Sequence, residues 1–353
     1  MTEMIYGFYD TYYGHNIEDL ETLTNYFREL KKDSNHSTIF LAGDSSLDNK
    51  HWFAQTSKSL NGYETILDPP DSKKDVCYWV NKGLVERSLG SKMTCINAAV
   101  EESSIGSRAC GTLQTHDRFI QTHIRSEDIL VVSVGGNDIA LKPNCCTIFN
   151  AALLLYTQNA KSIERACGQP LSCDDYCCGC CCGCYSNCLS CPCGYGYFLH
   201  LFQTRAKAYI SNLVSKTKPK KVLICMIYYV DEKETGSWAD ASMAALGYNK
   251  RPEDLQMLTR MVYVNGTRSI KIDGVETIAV PFFTVMDGQS SSDYCERVEP
   301  SSQGGSKLSK IILDAVEYGQ SKMDEYYNDH CQKLKRQTSG EEKVISNNPI
   351  ERN

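Results

Sequence analysis

Two short stretches carry residue types suited to acyl transfer. In the first, the apolar run Thr38-Ile39-Phe40-Leu41-Ala42 ends at Gly43-Asp44-Ser45-Ser46-Leu47-Asp48-Asn49. A buried strand ending at a glycine would deliver the Ser45 hydroxyl to the carboxyl edge of a sheet, where open α/β folds bind their ligands. Ser45 is expected to open a helix there. In the second, the β-branched run from Ile129 to Val134 ends at Gly135-Gly136-Asn137-Asp138. The Asn137 carboxamide can donate an N–H to a developing oxyanion, a contribution of about 2.7–4 kcal/mol in enzymes where it has been measured. Each stretch alone also reads as an ordinary turn or helix cap, since Ser, Asp and Asn are the preferred capping residues. Together they place a hydroxyl nucleophile and an amide donor at two strand ends, the constellation that attack on a carbonyl requires.

In these two stretches the chain resembles the SGNH hydrolases, also called GDSL esterases and lipases, and the likeness in order and spacing spans residues 38–320. The resemblance implies that Ser45 is the nucleophile and that its own N–H and the Asn137 side chain hold the oxyanion. The family's second block, Asn-x-Gly-x-x-Gly, is matched at Asn97, with Ala99 and Glu102 where glycines stand. The resemblance puts a third oxyanion donor at the Glu102 N–H, with Gly106 as the alternative if the loop shifts. Losing glycine there removes its ease at positive φ, and the Glu102 carboxylate must point away from an oxyanion.

The fourth block, Asp-x-x-His-Pro, reads here as Glu296-Arg297-Val298-Glu299-Pro300. The resemblance therefore sets Glu299 in the position of the general base and Glu296 in that of the orienting acid, with Asp293 nearby. An ordinary Glu carboxylate titrates near 4.3 and imidazole near 6.5. Burial or a second carboxylate would raise Glu299 toward a useful range, and Arg297 would oppose that. Of the seven histidines, His51 is the alternative base, on the helix expected after Ser45. Two functional readings of the pocket stay open, beside a third in which a membrane-attached scaffold organised by its cysteines makes the pocket incidental. One is an ester hydrolase acting on a small-molecule ester, needing no cofactor or metal. The other keeps the pocket for an acyl or acetylated ligand without turnover.

The elements that must position these residues follow from periodicity. Leu20, Leu23, Phe27 and Leu30 recur at helical spacing, which predicts a helix over 17–32. Strands are predicted at 38–42, 63–67, 93–100, 129–134, 222–229 and 275–285, and further helices at 74–87, 200–215, 252–264 and 307–322, the last capped by Ser306. Strands alternating with helices predict an α/β fold: a three-layer α/β/α sandwich with a mainly parallel sheet, flavodoxin-like in type. Pro281 demotes the last strand to an edge or shortens it. A single domain is expected over 1–335, followed by a polar tail at 336–353.

Composition narrows the classes further. Of the 353 residues 42% are hydrophobic, enough for a substantial core, and the net charge of −6 leaves no basic footprint for nucleic acid. No run of eighteen apolar residues is present, and the N-terminus lacks the pattern of a signal peptide. A cytoplasmic protein is expected. The unusual tract is a Cys-rich insertion at 145–195, which holds 13 of the 19 cysteines, 11 of them within 167–193. Cys-x-x-Cys spacings such as Cys181 to Cys184 suit zinc or an iron–sulfur cluster. Cysteines beside Phe149 and Leu153 suit S-acylation and peripheral membrane attachment, which two chains would make stable. The third reading is a loose, low-complexity loop. Stable disulfides are the poorest fit in a reducing cytosol.

Overall fold

The computed structural model describes residues 4–32, 36–166 and 193–339. The Cys-rich run at 167–192 and the tail beyond 339 lie outside them, so the metal, acylation and loose-loop readings of those cysteines fall outside the described residues. Among the described residues no group of three or more His, Cys, Asp or Glu side chains could hold a metal ion, and no helix is long and apolar enough to cross a membrane.

Five parallel strands form the central sheet: β1 (Ser37–Gly43), β2 (Met93–Asn97), β3 (Ile129–Ser133), β4 (Lys221–Met226) and β5 (Glu276–Pro281). Their order across the sheet is β2-β1-β3-β4-β5. Why these runs make a doubly covered sheet is visible residue by residue, because successive strand residues point to opposite faces. Phe40, Ala42, Ile96, Leu130, Val132, Val222 and Ile224 enter one core layer. Their neighbours Ile39, Leu41, Cys95, Ile129, Val131, Leu223 and Cys225 enter the other. Helices α1 (Ile17–Leu30), α3 (Thr115–His123), α4 (Ala206–Leu213) and α5 (Pro252–Asn265) cover the first layer. Helices α2 (Val76–Glu86) and α6 (Ser302–Ser339) cover the second. The three-layer α/β/α architecture is therefore the observed one.

Several local expectations are corrected. The 63–67 strand is a 3₁₀ turn at Tyr63–Thr65 and a two-residue strand, Leu67–Asp68. Gly62 at φ 101° just before it bends the chain too sharply for a longer strand. The 200–215 helix is a π-helical segment, His200–Arg205, leading into α4. The last helix begins at Ser302, so Ser306 lies inside it rather than capping it, and Gly319 at φ 69° breaks it partway. Pro281 is the final residue of β5, which is an edge strand as its missing N–H requires. Cys145 and Cys146 open a helix, Cys145–Thr157, whose Leu154 and Leu155 are buried in the first core layer.

The order 2-1-3-4-5 reverses between β1 and β3, which makes their carboxyl ends the switch point where such folds bind ligands. The two ends converge tightly. Gly43 pairs with Ser133, and at φ 131° a Cβ on Gly43 would fall 1.8 Å from the Ser133 carbonyl oxygen. No other residue fits at this position. Ser45 and Asn137 follow these two ends directly.

Candidate active site

Ser45 sits on a tight turn, not on the helix expected from its sequence. The Asp44 carbonyl accepts from the N–H groups of Leu47 and Asp48, both at 3.1 Å, and the chain then passes into a single 3₁₀ turn at Lys50–Trp52. Side chains hold this turn from every side. Asp44 Oδ1 accepts from the Ser46 N–H at 3.1 Å and the Ser46 hydroxyl at 2.6 Å. Asn97 donates to the Leu47 carbonyl at 3.0 Å. Asp48, wholly buried with Lys50 at 2.7 Å, also accepts from the N–H groups of Gly14 and Glu101, each at 3.0 Å. Asp44 with its local bonds to Ser46, and Asp48 with its long-range ones to Gly14 and Glu101, stabilise the turn over a continuing helix.

Glu299 comes to Ser45 from 254 residues along the chain: the Ser45 hydroxyl donates to Glu299 Oε1 at 3.1 Å, and both residues are buried. Glu299 and Pro300 form a short strand paired antiparallel with Tyr294–Cys295. Asn49 fastens that strand to the Ser45 loop, donating to the Pro300 carbonyl at 2.9 Å while its own Oδ1 accepts from the Val76 N–H at 3.1 Å. Tyr228 donates to the Val298 carbonyl at 2.7 Å. The distance between Ser45 and Glu299 is thus set by α2, the segment after β4 and the turn after β1 together.

The expectation for Glu296 is overturned. Glu296 and Arg297 both take positive φ, 46° and 68°, in the hairpin loop before Glu299. That geometry turns Glu296 outward to an exposed position, where its carbonyl accepts from Ser237. It does not orient Glu299. Arg297 is buried but faces away, bonded to the Asp231 carbonyl, Asp240 and Asn249. Asp293 is bonded to Lys307 and Gln303.

The expected oxyanion donors fare differently. Asn137 is buried and gives one amide hydrogen to the Ser103 carbonyl at 2.9 Å, which fixes the plane of its carboxamide. Its second N–H has no partner among the described residues. Glu102 keeps the left-handed geometry that glycine would have supplied, at φ 58°. Its carboxylate lies against Lys142 at 3.1 Å and Tyr12 at 3.2 Å. Among the described residues neither the Ser45 N–H nor the Glu102 N–H has a partner. Gly106 is excluded, because its N–H and that of Ile105 are both bonded to Asp138 at 2.8 Å.

Ser45, Asn137 and Glu299 open on one cavity of about 90 Å³. No histidine lines it among the described residues. His51 is exposed and packs edge-on against Tyr12, 4.5 Å between ring centres. It is not the base.

The carboxylates around Ser45 are perturbed in one direction. Burial, reinforced by the Asp44 and Asp48 charges, pushes Glu299 up to about 8 against the opposing bond from Ser45. Glu101, which sequence reasoning passed over, is also buried, and burial with the neighbouring Glu299 pushes it up to about 9. Its only signal in the sequence was an acid directly ahead of Glu102, at the end of a buried strand. Burial likewise raises Asp44 to about 6.

These shifts carry a stability consequence. Folded Glu101 and Glu299 hold protons at pH values where the unfolded groups, near 4.5, have lost them. The folded state then binds more protons than the unfolded one, so stability falls as pH rises from about 4.5 to about 9. Glu101→Gln removes one contributor. In thermal melts the variant should exceed the parent by on the order of 2–4 °C at pH 9 and match it near pH 5. A variant melting no higher than the parent at pH 9 would contradict this account.

No family profile matches the chain, and no curated protein does. Among solved structures it is similar to a candidate GDSL-like lipase from Parabacteroides merdae, at 11% identity and TM-score 0.38, covering 80% of this chain and 96% of that one. It is similar to a carbohydrate esterase of family 3 from Talaromyces cellulolyticus at 10% identity and TM-score 0.36, covering 83% and 99%. An acetyl xylan esterase is similar at 12% identity and TM-score 0.35, covering 79% and 99%.

Proposed function

We propose that this chain is a serine ester hydrolase of the SGNH type whose general base is a glutamate. The observation that carries the reading is the buried hydrogen bond from the Ser45 hydroxyl to Glu299, 3.1 Å long, beside Asn137 on one cavity. In the reaction, ionised Glu299 takes the Ser45 proton as Oγ bonds to the ester carbonyl carbon. The oxyanion is held by the Ser45 N–H, the free Asn137 amide hydrogen and the Glu102 N–H. Collapse breaks the ester C–O bond, and the leaving alkoxide takes the proton back from Glu299. Water then repeats the sequence on the acyl-enzyme, giving the carboxylic acid and free Ser45.

With Glu299 near 8, roughly a tenth of the molecules hold it ionised at pH 7. Activity therefore rises with pH through about 8. A fluorophosphonate probe tests the nucleophile directly, because it couples only to an activated serine. One equivalent should attach to the Ser45 peptide, faster at pH 9 than at pH 7. An unlabelled parent protein, or a label that persists in Ser45→Ala, would sink the reading and favour a pocket that only binds.

A further inference from the structure

The lining of the cavity beside Ser45 divides sharply by chemistry. The carboxylates and the free amide come from Asp44, Glu299 and Asn137, and no Lys, Arg or His lines it among the described residues. The remaining wall is carbon from Phe198, Phe202, Met243, Leu246, Leu258 and Val262. Most of the polar side chains that also border it are engaged within the fold. Tyr228 donates to the Val298 carbonyl, Tyr248 to the Val230 carbonyl and Thr259 to the Leu255 carbonyl. Gln256 bonds Glu232 and Tyr248, and the Tyr229 hydroxyl accepts from Arg260. A sugar or another polar group placed against this carbon wall, away from Asp44, Asn137 and Glu299, would lose its water and find little hydrogen bonding in exchange.

We infer that this cavity holds the acyl chain of the substrate, and that the chain is a linear, medium-length one rather than an acetyl group; this rests on the reading of Ser45 as an esterase nucleophile. The size supports it. A volume of about 90 Å³, at roughly 10–15 Å³ for each water-sized site, gives room for on the order of six to nine carbon-sized groups. An acetyl group would leave most of it empty. Each additional buried methylene is worth about fourfold in kcat/KM, from its transfer out of water. Trp238, 39% exposed, stands at the edge of the same wall, where an entering chain would meet it first.

The test is a series of nitrophenyl esters from acetyl to palmitoyl, run on the full-length protein, on Leu246→Trp and on Val262→Phe. Neither position belongs to the machinery assigned above, and Leu246 is only half-buried, so the first variant should fold even if the second does not. The parent should peak at six to nine carbons, with kcat/KM for octanoyl at least tenfold above acetyl. Leu246→Trp should move the peak to shorter chains while leaving acetyl turnover within about twofold. A parallel calorimetric titration should find one site for 1-octanol in the parent and in Ser45→Ala, and none in Leu246→Trp. Ser45-dependent hydrolysis that favours acetyl, or a length profile that the folded Leu246→Trp leaves unmoved, overturns the inference and leaves the esterase reading standing. Octanol binding without Ser45-dependent hydrolysis of any ester overturns the esterase reading and leaves the chain-binding cavity. Absence of octanol binding in the parent overturns the cavity assignment by itself.

Discussion

Ser45→Ala lowers the turnover of a medium-chain nitrophenyl ester by on the order of 10⁴-fold or more, the scale seen when a serine hydrolase loses its nucleophile. The neighbouring hydroxyl cannot replace it. Ser46 is committed to Asp44 and to Ser133, each at 2.6 Å, and so is held by both partners at the foot of the turn. What survives is whatever the oxyanion donors contribute to attack by water. The loss should come without unfolding. Removing the hydroxyl takes away the hydrogen bond that Glu299 Oε1 accepts from Ser45, and Glu299, already raised to about 8, then stays protonated at neutral pH. Initial rates beside a thermal melt check both halves, and equal rates for parent and variant would exclude Ser45.

Glu299→Gln is expected to cost ~10²–10⁴-fold, the usual contribution of a positioned general base. Glutamine retains a carbonyl oxygen that can accept the Ser45 hydrogen bond, so the geometry survives and only proton uptake is lost. The pH profile separates this from a structural role. The parent's rate climbs through about 8 as Glu299 ionises, and the variant's residual rate should lose that limb. Glu296→Gln, at an exposed position, should match the parent. A Gln variant with an unchanged rate, or with the limb intact, would transfer the base to another group.

Much of this site was legible because strand ends announce themselves. Ile39 to Ala42 and Ile129 to Val134 are apolar runs closed by glycines, and register places Gly43 opposite Ser133. Ser45 and Asn137 follow from that juxtaposition. Glu299 was legible only as a position in a familiar spacing, since nothing in its neighbours reveals that Asn49 pins the following Pro300 to the nucleophile's loop. Glu296 was misread for a backbone reason. Two consecutive left-handed residues reverse the facing that a count of three would imply, and φ is not written in residue types that ordinarily avoid positive values. Glu102 shows the converse. Its left-handed conformation, ordinarily unfavourable by about 1–2 kcal/mol for a side-chain-bearing residue, coexists with the Lys142 ion pair and the Tyr12 bond. The turn after Ser45 was unreadable because its stabilising partners, Asn97, Gly14 and Glu101, come from distant segments.

In the proposed reaction, a carboxylate base beside Ser45 also changes how charge moves. An imidazole base starts neutral and becomes a cation as the oxyanion forms, so opposite charges are created and face each other. Glu299 starts as an anion and becomes neutral, while the negative charge reappears on the substrate oxygen. The net charge of the site does not change; one unit of negative charge is displaced by a few ångströms from one set of dipoles to another. Separating charge inside a carbon-lined cavity is heavily penalised at low dielectric, whereas relocating an existing charge leaves the total to be solvated nearly constant. With no imidazolium to attract it, the oxyanion depends wholly on the fixed N–H groups around Ser45 and Asn137.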